Sequence, residues 1–173
     1  FNLEQGGYFT VGTLCHEFFH SLGAPDLYHY DAPGAPTAVG GWDVMDGSGD
    51  PPQYMGAFMK YKYGDWIEEM PVITSSGTYE LSPLQSSTNN VFKINSPNSS
   101  TEYFVVEYRK KEGIYESQTP GNDSGLLVYR INTTVGNGNA DGPPDEIYLY
   151  RVGGTLTDNG SFSLAPFNQS SGR

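Results

Sequence analysis

The run His16-Glu17-Phe18-Phe19-His20, followed by Gly23 and Asp26, leaves this stretch of the chain few local options. Imidazoles four residues apart stand one above the other on a single helix face. Glu17, displaced by about 100° around the axis, stands beside that pair. Val11, Leu14, Cys15, Phe18 and Leu22 recur at helical spacing as one apolar stripe, opposite His16, Glu17 and His20 on the wheel. The pattern predicts a helix with its stripe buried and its polar trio facing a cleft. Gly23 stands where a left-handed stop is favoured. Pro25 forbids further helix, so the chain turns and Asp26 is able to point back at the two histidines.

Each of these features has an ordinary reading. Paired histidines on an exposed helix are usually solvated, and an aspartate beside a proline is a common turn residue. Their joint spacing is what points to chemistry. His16, His20 and Asp26 supply nitrogen and oxygen ligands of the kind that zinc takes. Glu17 supplies a carboxylate next to the metal, where a general base is needed.

The pattern His-Glu-x-x-His-x-x-Gly-x-x-Asp resembles the zincin metallopeptidases, and among them the metzincin-like branch with an aspartate in place of the third histidine. Ser21-Leu22-Gly23-Ala24-Pro25-Asp26-Leu27-Tyr28 resembles the zinc-site continuation of secreted bacterial peptidases of the immune inhibitor A type. Gly41-Trp42-Asp43-Val44-Met45-Asp46-Gly47-Ser48-Gly49 resembles their Met-turn segment, with Met45 as the methionine beneath the metal. Residues 52–66 look like their next helix, and residues 103–109 and 125–130 look like strands that follow. The likeness runs from about residue 12 to residue 132. It implies a Zn2+-dependent endopeptidase, secreted and bacterial, that acts on a protein or peptide substrate with Glu17 as general base.

Two departures refine that expectation. Metzincin-type domains carry a twisted sheet and a helix ahead of the zinc helix, whereas only fifteen residues precede His16 here. The chain is therefore expected to be the C-terminal part of a catalytic domain, cut from a larger protein, and its isolated activity is in doubt. Gly47 stands where some relatives place a tyrosine near the metal, so that segment offers none.

Composition narrows the partners. A formal charge of −11 and a pI near 4.4 argue against nucleic acid and against anionic membrane surfaces. No apolar run approaches the roughly 20 residues of a membrane span. Cys15, the one cysteine, rules out an internal disulfide and reads as a packed thiol on the stripe. Asn98, Asn122 and Asn132 begin Asn-x-Ser/Thr triplets, which a chain this rich in those residues produces by chance. An acidic chain with almost no cysteine fits a secreted bacterial protein.

Residues 32–52 read as an ordered Pro/Gly-rich loop forming a wall of the site, with Met45 as either the Met-turn residue or core filler. Residues 53–66 read as a second helix started by Pro51 and Pro52 and ended by Gly64. From Pro71 onward, residues 78–81, 91–94, 103–108, 126–131 and 147–152 cluster β-branched and aromatic side chains between turn signals. The expected fold is α+β. Residues 1–70 form a zinc-binding subdomain and residues 71–173 form an antiparallel β-rich unit.

Two acidic loops raise Ca2+. Asp46-Gly47-Ser48-Gly49-Asp50 alternates oxygen ligands, but Pro51 and Ala57 spoil an EF-hand. Asn137-Gly138-Asn139-Ala140-Asp141-Gly142, with Asp145 and Glu146 behind it, fits the first half of such a loop, yet Tyr148 occupies the twelfth position. A looser calcium site there competes with a hydrated turn. The alternative to an enzyme is a non-catalytic β-rich binding or adhesion module with a closed, structural zinc, for which His29 is the nearby fourth donor.

Overall fold

The computed structural model describes residues 9–169 and 172. Helix α1 (Val11–Ser21) is capped at its start by Thr10, whose hydroxyl accepts the Thr13 N–H at 3.1 Å. It stops at Gly23, which takes φ +97° while its N–H donates to the His20 carbonyl. A 3-10 turn (Gly40–Trp42) and α2 (Ala57–Lys62) follow. Next come β1 (Val72–Ile73), β2 (Val91–Asn95), β3 (Glu102–Arg109), the short α3 (Gly113–Glu116), β4 (Gly125–Asn132) and β5 (Ile147–Leu149). The five strands form one open sheet in sequence order. It is mixed rather than wholly antiparallel, because β1 runs parallel to β2 and the other pairs are antiparallel.

The register places Val105 opposite Tyr129 and Val106 opposite Val128, so alternate residues take opposite faces. Val105, Leu127, Tyr129 and Ile131 face a core completed by Leu27, Val39, Trp42, Val44, Met45, Met59 and Ile147. That core draws on both sides of residue 70, where the sequence suggested a boundary. The other face of the sheet carries Phe92, Ile94, Val106, Tyr108, Leu126 and Val128, which line an open apolar groove of about 760 Å3. No helix among the described residues is long and apolar enough to cross a membrane.

Four expectations about individual elements change. First, α1 is rotated relative to the stripe prediction. Val11, Leu14, Phe18 and Leu22 are 58%, 53%, 60% and 44% exposed, and Cys15 is half-buried. Gly12, His16 and Phe19 face inward instead, with Phe19 set edge-on to Trp66 at 5.5 Å. The two imidazole hydrogen bonds described below hold that orientation. Second, α2 is shorter than residues 53–66. Gln53 works as a clamp in extended chain: its side chain accepts the Gly49 N–H at 2.9 Å and donates to the Gly41 carbonyl at 3.2 Å and to the Gly47 carbonyl. The helix begins only where the Gly56 and Ala57 amides meet the buried carboxylates of Asp43 and Glu107, each at 2.6 Å. Third, residues 78–81 form no strand. The edge position goes to Val72–Ile73, and Tyr79 packs against Phe92 at 5.7 Å. β5 also ends at Leu149, short of the expected residue 152, and Val152 makes an isolated bridge to Ser161.

Candidate metal centre

Helix α1 presents His16 and His20 one turn apart, with ring centroids 4.9 Å apart and planes perpendicular. Nδ1 of His16 lies 2.8 Å from the Val44 carbonyl, and Nδ1 of His20 lies 2.8 Å from the Ala24 carbonyl. A carbonyl only accepts, so each Nδ1 carries a proton, and in the neutral ring each Nε2 then presents its lone pair. This is the second hydrogen bond that metal-ligating histidines normally make. Both carbonyls come from predicted segments: Ala24 from the turn after α1, and Val44 from the Met45 loop.

Asp26 is 4% exposed and closes the triangle. Its Oδ1 lies 3.0 Å from Nε2 of His16 and 3.4 Å from Nε2 of His20. The three donor atoms all fall within 4.8 Å of one another. Donor atoms on a tetrahedral ion with bonds of about 2.0–2.2 Å stand about 3.3–3.6 Å apart, and the two Asp26–imidazole distances come close to that range. Asp26 Oδ1 is buried and accepts no hydrogen bond among the described residues. With both rings neutral, three lone-pair donors converge here with no proton between them, an arrangement that is costly at a buried carboxylate unless a cation fills it.

The other carboxylate oxygen is already taken. The Tyr30 hydroxyl donates to Asp26 Oδ2. That bond, followed by burial and the Asp26 charge, lifts the Tyr30 phenol well above its ordinary pKa. Tyr28 stacks on His16, with centroids 6.3 Å apart and planes at 23°. Burial, then Asp26, then the Glu17 charge raise its pKa as well, so both phenols stay protonated at neutral pH. Glu17 is half-buried on the same turn of α1 as His16.

Met45 lies in a turn closed by the Asp46 and Gly47 N–H groups on the Asp43 carbonyl at 3.1 and 3.2 Å, and its side chain is fully buried. Its carbonyl accepts the Leu27 N–H at 2.9 Å, which ties this turn to the residue after Asp26. Asp43 anchors the turn by accepting from the Met45 N–H at 2.8 Å.

The remaining predicted donors lie elsewhere. His29 is not part of the cluster: its Nε2 lies 2.6 Å from Asp145 Oδ1. Among the described residues, the group able to hold a metal ion contains His16, His20 and Asp26 and not His29. The calcium reading of residues 137–146 keeps Asp141 but finds its other two acids already partnered. Asp145 pairs with His29, while Glu146 accepts from Lys62, from the Tyr63 hydroxyl at 2.7 Å and from the Gly138 N–H at 2.7 Å. Asn139 spends its amide on the Leu27 and Ile147 backbone. In the other acidic loop, Asp46 Oδ2 accepts the Gly40 and Val39 N–H groups. Among the described residues, neither loop gathers three acidic, histidine or cysteine donors.

What the sequence missed is the support around the triad: the phenols of Tyr28 and Tyr30, and the loop at residues 137–141. Tyr30 falls four residues after Asp26, a spacing open to a local hydrogen bond. The loop is remote in sequence and carried no such signal. No protein-family model, curated protein or solved structure matches the chain.

Proposed function

We propose that the chain carries the metal-binding part of a zinc-dependent endopeptidase, secreted and acting on protein or peptide substrates. The observation that supports this most is the buried, unbonded Asp26 Oδ1 facing two imidazole lone pairs, with Glu17 one residue from His16. Two imidazoles and one carboxylate form a nitrogen/oxygen donor set typical of catalytic zinc, which keeps a fourth position for water or substrate.

A zinc ion bound there supplies Lewis-acid chemistry, lowering the pKa of a water to about 7 and polarising a carbonyl. The chain's residues do the rest. His16 and His20 are held as Nδ1–H tautomers by the Val44 and Ala24 carbonyls, which keeps both Nε2 lone pairs aimed inward. Glu17 accepts one proton from the attacking water as the oxygen adds to the scissile carbonyl. It then delivers that proton to the departing amide nitrogen as the C–N bond breaks. Nothing in this sequence requires Glu17 to hold metal, and that favours catalysis over a purely structural site.

Two variants test the reading. Glu17→Gln is expected to bind zinc as the parent does while losing peptide hydrolysis by at least a hundredfold; near-normal turnover would remove Glu17 as the base. His20→Ala is expected to lose stoichiometric zinc on metal analysis, and retained zinc would reject the ligand set. Metal bound with no hydrolysis of any peptide would favour the structural-zinc alternative.

A further inference from the structure

Against the triad lies a cavity of about 310 Å3, bounded by His20, Asp26, Tyr30, Asn137, Ala140 and Asp141. That volume sits at the small end of ligand sites, roughly 300–1,000 Å3, and suits a single side chain. Two chain segments build its walls, and backbone bonds lock them together. The Asn139 N–H donates to the Asp26 carbonyl at 3.0 Å, and the Tyr30 N–H donates to the Ala140 carbonyl at 2.9 Å. Gly138 makes this docking possible: it takes φ +72°, and a Cβ there would fall 2.4 Å from the Asp26 carbonyl oxygen. The cavity is thereby held at a fixed distance from the metal ligands.

Asp141 makes part of the cavity lining acidic. Asp141 is exposed and pairs with no cation among the described residues, although the chain around it carries a net charge of −11. It lines the same cavity as Tyr30. A cavity lined by two of the proposed metal ligands and by an unpaired carboxylate favours a cationic side chain and disfavours an anionic one.

We propose that this cavity receives the side chain of a substrate residue flanking the scissile bond and selects lysine or arginine there, with Asp141 as the countercharge. The proposal rests on the peptidase reading and adds its specificity. Amino-acid hydroxamates probe it without turnover, because they chelate the metal and offer one side chain to its surroundings. Titration calorimetry of the zinc-loaded chain is expected to show arginine hydroxamate binding about fivefold tighter than norleucine hydroxamate, the discrimination an exposed ion pair supports. The difference is expected to shrink in 1 M salt and to vanish in Asp141→Asn. In Asp141→Lys, glutamate hydroxamate is expected to bind more tightly than arginine hydroxamate. Norleucine hydroxamate is expected to bind all three proteins alike. Equal affinities in the parent, or a preference that survives Asp141→Asn, overturn the specificity proposal and leave the metal reading standing. Failure of every hydroxamate to bind the zinc-loaded chain overturns both.

Discussion

At the scale of single residues, the two oxygens of Asp26 have separate partners. Oδ2 accepts from Tyr30, which leaves Oδ1 as the oxygen facing both imidazoles. A carboxylate fixed at one oxygen presents the other in one direction, whereas a free one rotates away. Tyr30→Phe removes only the hydroxyl, and zinc affinity is expected to fall by about 10- to 100-fold, as is usual for partners of metal ligands. Competition against a chromophoric chelator measures this, and an unchanged affinity would show that the phenol does not orient Asp26. A second residue-scale effect concerns Asp46. Burial pushes its carboxyl up to about 6, against the Gly40 and Val39 amides, which favour the ionised form. Because the folded chain holds that proton more tightly than the unfolded chain, Asp46 adds stability below about pH 4 and loses that contribution as pH rises through about 6. Asp46→Asn keeps an acceptor oxygen and does not titrate. Urea unfolding should therefore show the variant gaining on the parent by on the order of 2 kcal/mol between pH 4 and pH 7. A pH-independent difference would mean that Asp46 titrates normally.

At the scale of elements, α1 separates two kinds of sequence signal. Its existence, its Gly23 stop and the triad were legible because all of them lie within one helix and one turn. Which face turns inward was not, because long-range hydrogen bonds to Val44 and the packing of Phe19 on Trp66 decide it. A clear test follows. Leu14→Ser is expected to change unfolding free energy by no more than about 0.5 kcal/mol, as surface substitutions do, while Phe19→Ala is expected to cost about 2 kcal/mol. The reverse order would restore the buried-stripe arrangement. The start of α2 shows the same division: Pro51 and Pro52 were plausible local signals, but the carboxylates of Asp43 and Glu107 set the first turn. Strands β2, β3 and β4 were readable from their β-branched and aromatic runs. The two-residue β1 and its parallel pairing depend on contact with β2 and left no local trace. Residues 137–141 escaped for the same reason, since their role exists only once residue 139 meets residue 26, whereas the Tyr30 bond to Asp26 spans only four residues.

At the scale of the whole molecule, the bonds that cross residue 70 are the expensive ones. Arg109 is buried between Glu107 at 3.2 Å and Glu116 at 2.9 Å, and donates to the Trp42 carbonyl at 2.8 Å. Burial alone disfavours its charge, and the two carboxylates more than reverse that, raising its pKa. Glu107 also accepts from the Tyr129 hydroxyl at 3.1 Å and from the first amide of α2. Such a network is tolerable only when every member is present, because one unpaired buried charge costs several kcal/mol. Ala38 adds a further link, its carbonyl accepting the Leu149 N–H at 3.0 Å and the Arg151 guanidinium at 3.1 Å. A polypeptide ending at residue 70 leaves Trp42, Met45 and Met59 without their sheet and Asp43 without Arg109. Residues 1–70 alone are therefore expected to stay unfolded and to bind zinc no better than an unstructured peptide carrying the same ligands. The complete chain is expected to unfold in urea as one transition, with Trp42 fluorescence and zinc release coinciding. Two separated transitions, or a folded zinc-binding fragment of residues 1–70, would support the two-unit division and show that the buried ion network does not couple the metal site to the sheet.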